Sequence, residues 1–314
     1  MKLDGIHHIT AITGDAPANV EFYVGTLGLR LVKKSVNQDD PTVYHLFYGD
    51  EHAQPGADLT FFEYPGAERG RSGAGMVHLI SWRVGSAEAI DFWERRLAGE
   101  GIESSRHDGA LRFTDREGLA HELLVYDGDE KPLTGDAPDI PAEHALQGFA
   151  GVRAYASEPA RSGALLGDAL GFEGQGDGEW RVAGDTRSSF YRYDEPPAEA
   201  GIQGAGTVHH VAFNSATEDQ ESWRERAASA GARPTPVIDR FYFRSVYFRE
   251  PSGVLFELAT PEPGFAVDEP AETLGERLAL PPRYEGLRGR LEAQLTPLPD
   301  PRAARGAAGT GSGR

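Results

Sequence analysis

Cysteine is absent from all 314 residues. Disulfides and thiolate metal sites are therefore excluded, and any metal must be held by imidazole and carboxylate. Lysine is scarce: Lys2, Lys33, Lys34 and Lys131 stand in a chain of formal net charge −18. No basic stripe offsets that acidity, which argues against a nucleic-acid partner. No run of 18 apolar residues occurs, so no membrane span is expected. The opening MKLDGIHHIT enters a strand pattern at once and lacks the apolar stretch of a signal peptide. A cytoplasmic location is the expectation. There is no G-x-S-x-G elbow and no GxxxxGK[ST] loop, so serine hydrolysis and a phosphate-binding loop have no support.

What the chain does have is internal repetition, which is best sought first. GTLGLR at 25–30 aligns with GDALGFE at 167–173, an offset of 143 that places His7 on Ala150 and His8 on Gly151. GMVHLISW at 75–82 aligns with GTVHHVAF at 206–213, an offset of 131. Helix-like stretches follow both, at 87–103 and 217–234, and Trp93 falls close to Trp223. REGLAHELLV at 116–125 resembles EPSGVLFELAT at 250–260, with Glu122 opposite Glu257.

Each unit opens with a short alternating strand, continues into an amphipathic helix ending near a Gly, and closes with further strands and turns. Gly28, Gly101, Gly171 and Gly231 stand where a helix C-cap needs positive φ. The expected fold class is α+β: four βαβββ modules paired into two open, barrel-like domains. Along the chain these read as an N-terminal pair of modules at 1–130, a Pro-rich linker at 131–144, a C-terminal pair at 145–262, and an extension at 263–314. The extension predicts one short helix near 284–294, and its end, at 304–314, has the composition of a disordered tail.

Only some copies of the repeat carry metal-ligand side chains. Two His-His pairs and one isolated Glu, all in strand-like contexts, suggest a 2-His-1-carboxylate site with open coordination positions. His8, His210 and Glu257 have as counterparts Gly151, Leu79 and Glu122. Of two pseudo-equivalent pockets, one keeps all three ligand types and the other a carboxylate alone, which predicts one metal. Adjacent strand residues face opposite ways, so one imidazole of each pair should face a given pocket. Periodicity does not choose between His7 and His8. A buried Glu257 between Phe256 and Leu258 is costly unless an arginine or a metal pairs with it.

The repeat, together with GIHHITAITGDA (5–16), VYHLFYGDE (43–51), TVHHVAF (207–213) and DRFYFRSVYFREPSGVLFELAT (239–260), resembles the vicinal-oxygen-chelate superfamily. This superfamily includes glyoxalase I, extradiol dioxygenases and fosfomycin-resistance proteins. The likeness runs to about residue 290 and is greatest to the ring-cleaving hydroquinone dioxygenase branch. It implies Fe²⁺ ligands at His8, His210 and Glu257, with Mn²⁺ compatible with the same donors. It also implies catalytic or pocket roles for His7, Thr10, His209, Arg240 and Tyr247.

The implied reaction inserts O₂ into a small aromatic diol, a hydroquinone, and opens the ring. In that reading His209 or His7 serves as acid/base, Arg240 steadies a phenolate oxygen and Tyr247 holds the second hydroxyl. The superfamily's habit of self-association leaves a homo-oligomer open. Rival readings are a catechol extradiol dioxygenase, a glyoxalase-like metal-dependent isomerase or lyase, and a quinone- or drug-binding protein without turnover. His45 and His52 carry less weight, since strand packing or a turn explains each equally well.

Overall fold

The computed structural model describes residues 1–300. The tail expected to be disordered lies outside the described residues. Four modules are present. The first holds β1 (Ile6–Thr13), β2 (Arg30–Val36), β3 (Tyr44–Gly49) and β4 (Asp58–Glu63). The second holds β5 (Val77–Val84), β6 (Ser104–His107), β7 (Ala110–Thr114) and β8 (Ala120–Val125). The third holds β9 (Phe149–Tyr155), β10 (Glu173–Gly176), β11 (Glu179–Ala183) and β12 (Ser188–Asp194). The fourth holds β13 (Val208–Asn214), β14 (Ile238–Asp239), β15 (Arg244–Arg249) and β16 (Leu255–Ala259).

Two eight-stranded sheets result, in the orders β14-β15-β16-β13-β1-β4-β3-β2 and β10-β11-β12-β9-β5-β8-β7-β6. Each sheet therefore draws one module from each half of the chain: the first joins modules one and four, the second modules two and three. The halves read along the sequence interlock instead of forming separate sheets. The joints are the antiparallel pairs β1–β13 and β5–β9. Opening strands of modules bear unpaired ladder groups, and pairing them across the chain removes two sheet edges at each joint.

Helices differ between modules. In module two, α2 (Ala87–Gly99) is capped by the Ser86 hydroxyl, which accepts the Ala89 N–H, and turns Ala89, Ile90, Trp93 and Leu97 inward. In module four the helix, α3 (Gln220–Ser229), buries Trp223 and Ala227. Modules one and three depart from the expected amphipathic helix. Module one has only α1 (Ala16–Val20) before a π-helical turn at Glu21–Thr26, and module three has a π-helical turn at Ala164–Ala169. Leu27 N–H reaches the Phe22 carbonyl and Leu170 N–H the Leu165 carbonyl, both 2.9 Å, the same wide turn 143 residues apart. The helix then ends at Gly28 (φ 72°) and Gly171 (φ 73°), a left-handed conformation that glycine adopts without strain.

The linker is docked, with Leu133, Ala137 and Ile140 buried. Ile140 lies against Gly28, where a β-carbon would come within 2.4 Å of its Cδ1. The extension forms the expected short helix, α4 (Arg288–Gln294), after a 3₁₀ turn at Pro282–Leu287. Before it, Leu278 bridges Lys34 on β2, and Ala279 N–H donates to the Lys34 carbonyl at 2.9 Å. Since β2 ends its sheet, the extension covers that exposed edge. No described helix is long and apolar enough to cross a membrane.

Candidate metal centre

His8 on β1, His210 on β13 and Glu257 on β16 come together on the first sheet. The register explains how. Thr10 pairs with His210 and His8 with Ala212 across β1–β13, while Ala212 pairs with Glu257 across β13–β16. Three neighbouring strands thus each offer one side chain to the same face. His8 is 2% exposed, His210 4% and Glu257 0%. His8 Nε2 lies 3.2 Å and His210 Nε2 2.9 Å from Glu257 Oε2, and the two Nε2 atoms are 3.3 Å apart. Three ligands about 2.1 Å from an ion and at right angles to one another would be roughly 3.0 Å apart, so the spacing fits a facial triad.

Electrostatics point the same way. Burial pushes the Glu257 carboxyl up, but the adjoining His8 and His210 outweigh it and hold the pKa well below the usual range. Burial lowers His210 despite the pull of Glu257. The ionised Glu257 carboxylate is thus a buried charge in a water-poor site. Ser245 Oγ donates to Glu257 Oε1 at 2.5 Å, while Oε2 has no hydrogen-bond donor. A buried anion with an orphaned oxygen aimed between two imidazoles is the environment a divalent cation would complete.

The histidine pairs are resolved by two β-bulges. The β1–β13 register shifts between Ile6 and His8, leaving His7 unpaired, and again opposite His209. A bulge re-aims side chains that strict alternation would send to opposite faces. His7 and His209 thereby lie beside their neighbours: Nδ1 to Nδ1 is 2.9 Å for His7–His8 and 2.8 Å for His209–His210. His7 Nε2 is 3.1 Å from the Thr260 carbonyl, which can only accept, so the proton sits on Nε2. Burial lowers the His7 pKa to about 3, so its ring is neutral and its Nδ1 accepts from His8 Nδ1–H. The His8 Nε2 lone pair then faces the triad, as a ligand requires.

Above the triad is a cleft. Of the expected residues, His8, His210, Glu257, Arg240 and Tyr247 line it; His7, Thr10 and His209 do not. His7 sits behind His8, buried against Thr260. Thr10 is also behind the wall: its hydroxyl meets Thr60 Oγ1 at 2.8 Å, and Thr60 Oγ1 meets His45 Nε2 at 3.0 Å. His209 is exposed, its ring 5.6 Å from that of Phe62, a cleft-wall residue.

His45, given less weight in the sequence, is therefore part of the cleft, packed at a tilt against Phe47 and Phe62 and held neutral by burial. Its alternation with Tyr44 and Leu46 on β3 was the available signal. Asn37, Gln38 and Asp39 at the mouth had no motif to mark them. His52 does not line the cleft.

Arg240 turns both terminal nitrogens outward, to Asp39 Oδ1 at 2.9 Å and Oδ2 at 3.1 Å. Its Nε donates to the Tyr247 hydroxyl at 3.3 Å. Burial, with Glu257 opposite on β16, raises the Tyr247 pKa, so the phenol keeps its proton. Having accepted from Arg240, that hydroxyl has its own O–H to donate into the cleft.

A family model described as the Glyoxalase/Bleomycin resistance protein/Dioxygenase superfamily matches residues 5–129 and 148–258. "Putative ring-cleaving dioxygenase MhqA" of Bacillus subtilis (strain 168) is 39% identical, covering 95% of this chain and 100% of the relative. "Chlorohydroquinone/hydroquinone 1,2-dioxygenase" of Sphingobium indicum is 32% identical, covering 92% and 95%. Among solved structures, a dioxygenase-titled protein of Bacillus subtilis superposes with TM-score 0.89 at 40% identity, covering 95% of this chain and 98% of that one. Glyoxalase I from Zea mays shares the fold alone, with TM-score 0.57 at 14% identity, covering 82% and 92%. The chain belongs to the glyoxalase/bleomycin resistance protein/dioxygenase superfamily.

Proposed function

We propose that the chain is an Fe²⁺-dependent, extradiol-type ring-cleaving dioxygenase acting on hydroquinones, with Mn²⁺ able to fill the same donor set. The observation that carries this reading is the buried His8–His210–Glu257 triad beneath a cleft walled by Phe47, Phe62, Phe243 and His45. The hydroquinone part of the reading rests on the named activity of the Sphingobium relative. A planar aromatic diol suits such a cleft: its ring packs on aromatic walls and its hydroxyls meet the triad and the polar mouth.

Two imidazoles and one carboxylate would hold the ion, which supplies open positions for the diol and O₂ and conducts electron density between them. The rest falls to the protein. Tyr247 O–H donates to a substrate oxygen, and the Arg240 charge behind it strengthens that donation. His209, outside the cleft lining but open to solvent, rests its Nδ1 on His210 and orients that ligand. His7 has no such access, because its Nε2 is spent on Thr260; its part is to orient His8. Thr10, through Thr60, orients His45 against the ring. The aromatic walls exclude water from the reacting ring.

Oxygen uptake tests the reading. Protein loaded anaerobically with Fe²⁺ is mixed with air-saturated hydroquinone, methylhydroquinone or catechol, beside a His210→Ala control. Uptake with the para-diols, absent in the control, is the expected result. Uptake with catechol alone would move the substrate to ortho-diols. No uptake despite one bound metal per chain would favour a glyoxalase-like isomerase or a binding protein.

A further inference from the structure

Arg240 meets the Tyr247 hydroxyl by its Nε, and what holds it in that pose comes from two distant parts of the chain. The loop between β2 and β3 supplies Asp39, whose two oxygens take both terminal nitrogens. Asp39 is itself set by a turn in which its N–H donates to Asn37 Oδ1 at 2.9 Å. Gln38 beside it grips the Arg240 turn through the backbone, its amide nitrogen donating to the Arg240 carbonyl. That turn contains Phe241 at φ 69°, a left-handed conformation costly for a side chain of its size and sustained only by its surroundings.

The other side of Gln38 is held by the C-terminal extension. Tyr284 O–H donates to the Gln38 carbonyl at 2.6 Å, and Arg283 Nη2 donates to Gln38 Oε1 at 2.9 Å. The extension is in turn pinned to β2 by buried Lys33, which pairs with Asp268 at 2.8 Å and with Glu269. An unbroken set of contacts thus leads from the extension to the Tyr247 hydroxyl.

We propose that Gln38 and Asp39 are positioning residues that latch the Arg240 turn to the C-terminal extension and so hold Arg240 Nε on the Tyr247 hydroxyl. This deepens the proposed function and rests on its assignment of Arg240 and Tyr247 to substrate. The latch touches no metal ligand. Its loss acts on diol binding and on the orientation of Tyr247, and leaves metal content alone. The extension lines no part of the cleft, but through Gln38 it bears on the residues that do.

The test uses full-length, Fe²⁺-loaded protein with Asp39→Ala, Asp39→Glu, Tyr284→Phe, Arg240→Ala and the Asp39→Ala/Arg240→Ala double variant. Amide exchange of residues 239–243 reads the position of the turn; KM and kcat from oxygen uptake read its consequence. Asp39→Ala should speed exchange in 239–243 and raise KM for hydroquinone about tenfold, the loss of a charge-assisted pair that is partly exposed. Asp39→Glu should recover part of that loss, and Tyr284→Phe should move the same readouts less. Metal content should stay at one per chain. In the double variant, Asp39→Ala should add nothing to Arg240→Ala, because the two act as one unit.

Unchanged exchange in 239–243 overturns the latch whatever turnover does, and so do additive effects in the double variant. Faster exchange while Arg240→Ala retains full turnover keeps the latch as a clamp and overturns the use of Arg240 in the proposed function.

Discussion

The two sheets are built from the same modules, and each buries one carboxylate at the same register position. Glu257 pairs with Ala212 and faces Tyr247; Glu122 pairs with Ser81 and faces Arg112. Their solutions to burial differ. Arg112 Nε donates to Glu122 Oε1 at 2.7 Å and Ser81 Oγ donates to Oε2 at 2.9 Å, so both oxygens are satisfied within the protein. Where the first sheet has His8 the second has Gly151, and a β-carbon there would lie 2.5 Å from the Phe190 ring. The second pocket is filled by an ion pair and an aromatic ring. The first leaves Glu257 Oε2 without a donor. A buried charge must be answered, by an arginine in one copy of the fold and, in our reading, by a metal in the other.

The largest expected effect comes from removing that difference. Glu257→Gln should abolish stoichiometric metal binding and lower turnover by about 10³-fold or more, since the ion's stabilisation is worth several kcal/mol. Metal analysis and oxygen uptake check this. Retained stoichiometric metal in Glu257→Gln would dissolve the contrast between the pockets. In the intact protein, metal affinity should fall as pH drops, because a protonated imidazole cannot bind a metal, while Glu257, held well below the usual carboxylate range, stays ionised. Metal titrations at pH 5 and 7 read the sign.

The sheets also differ at an edge, since the extension caps β2. Lys33→Met leaves Glu269, 1% exposed at its side chain, with only Arg277 at 3.5 Å as a cation, and should cost about 3 kcal/mol, seen in chemical denaturation. A cost near zero would mean the extension is not held by this pair. A smaller change is expected from His209→Phe, which removes the ring on His210 Nδ1. It should weaken metal binding or turnover about 10- to 100-fold, while His78→Phe at the equivalent place on the second sheet alters neither. Smallest is Arg112→Met. Arg112 is one-third exposed and Ser81 remains on Glu122, so the loss should be about 1 kcal/mol with one metal still bound. A second bound metal in that variant would show that Arg112 alone closes the second pocket.

Much of this was legible in the repeat. The offsets of 143 and 131 reappear as structural register, with His8 and Gly151, and Ala212 and Ser81, in equivalent pairs. The glycines expected to take positive φ do so, and Trp93 and Trp223 are both buried. The family follows from motifs that span the modules. Periodicity did not choose within the first histidine pair, because a bulge breaks the alternation on which it depends. His45 was given less weight because an imidazole on an alternating strand reads the same whether it packs or lines a cleft.

The sequence by itself determined that four modules exist, which copies retain ligand side chains, and that imidazole and carboxylate are the available donors. These are properties of local order, written at fixed spacing along the chain. The tertiary structure decided that module one pairs with module four, which brings His8 across about 200 residues to His210. It also decided that Arg112 rather than an ion answers Glu122, and that the extension touches Gln38, which lines the cleft. Each depends on which strand edges and charges meet in space, and no spacing along a chain encodes that.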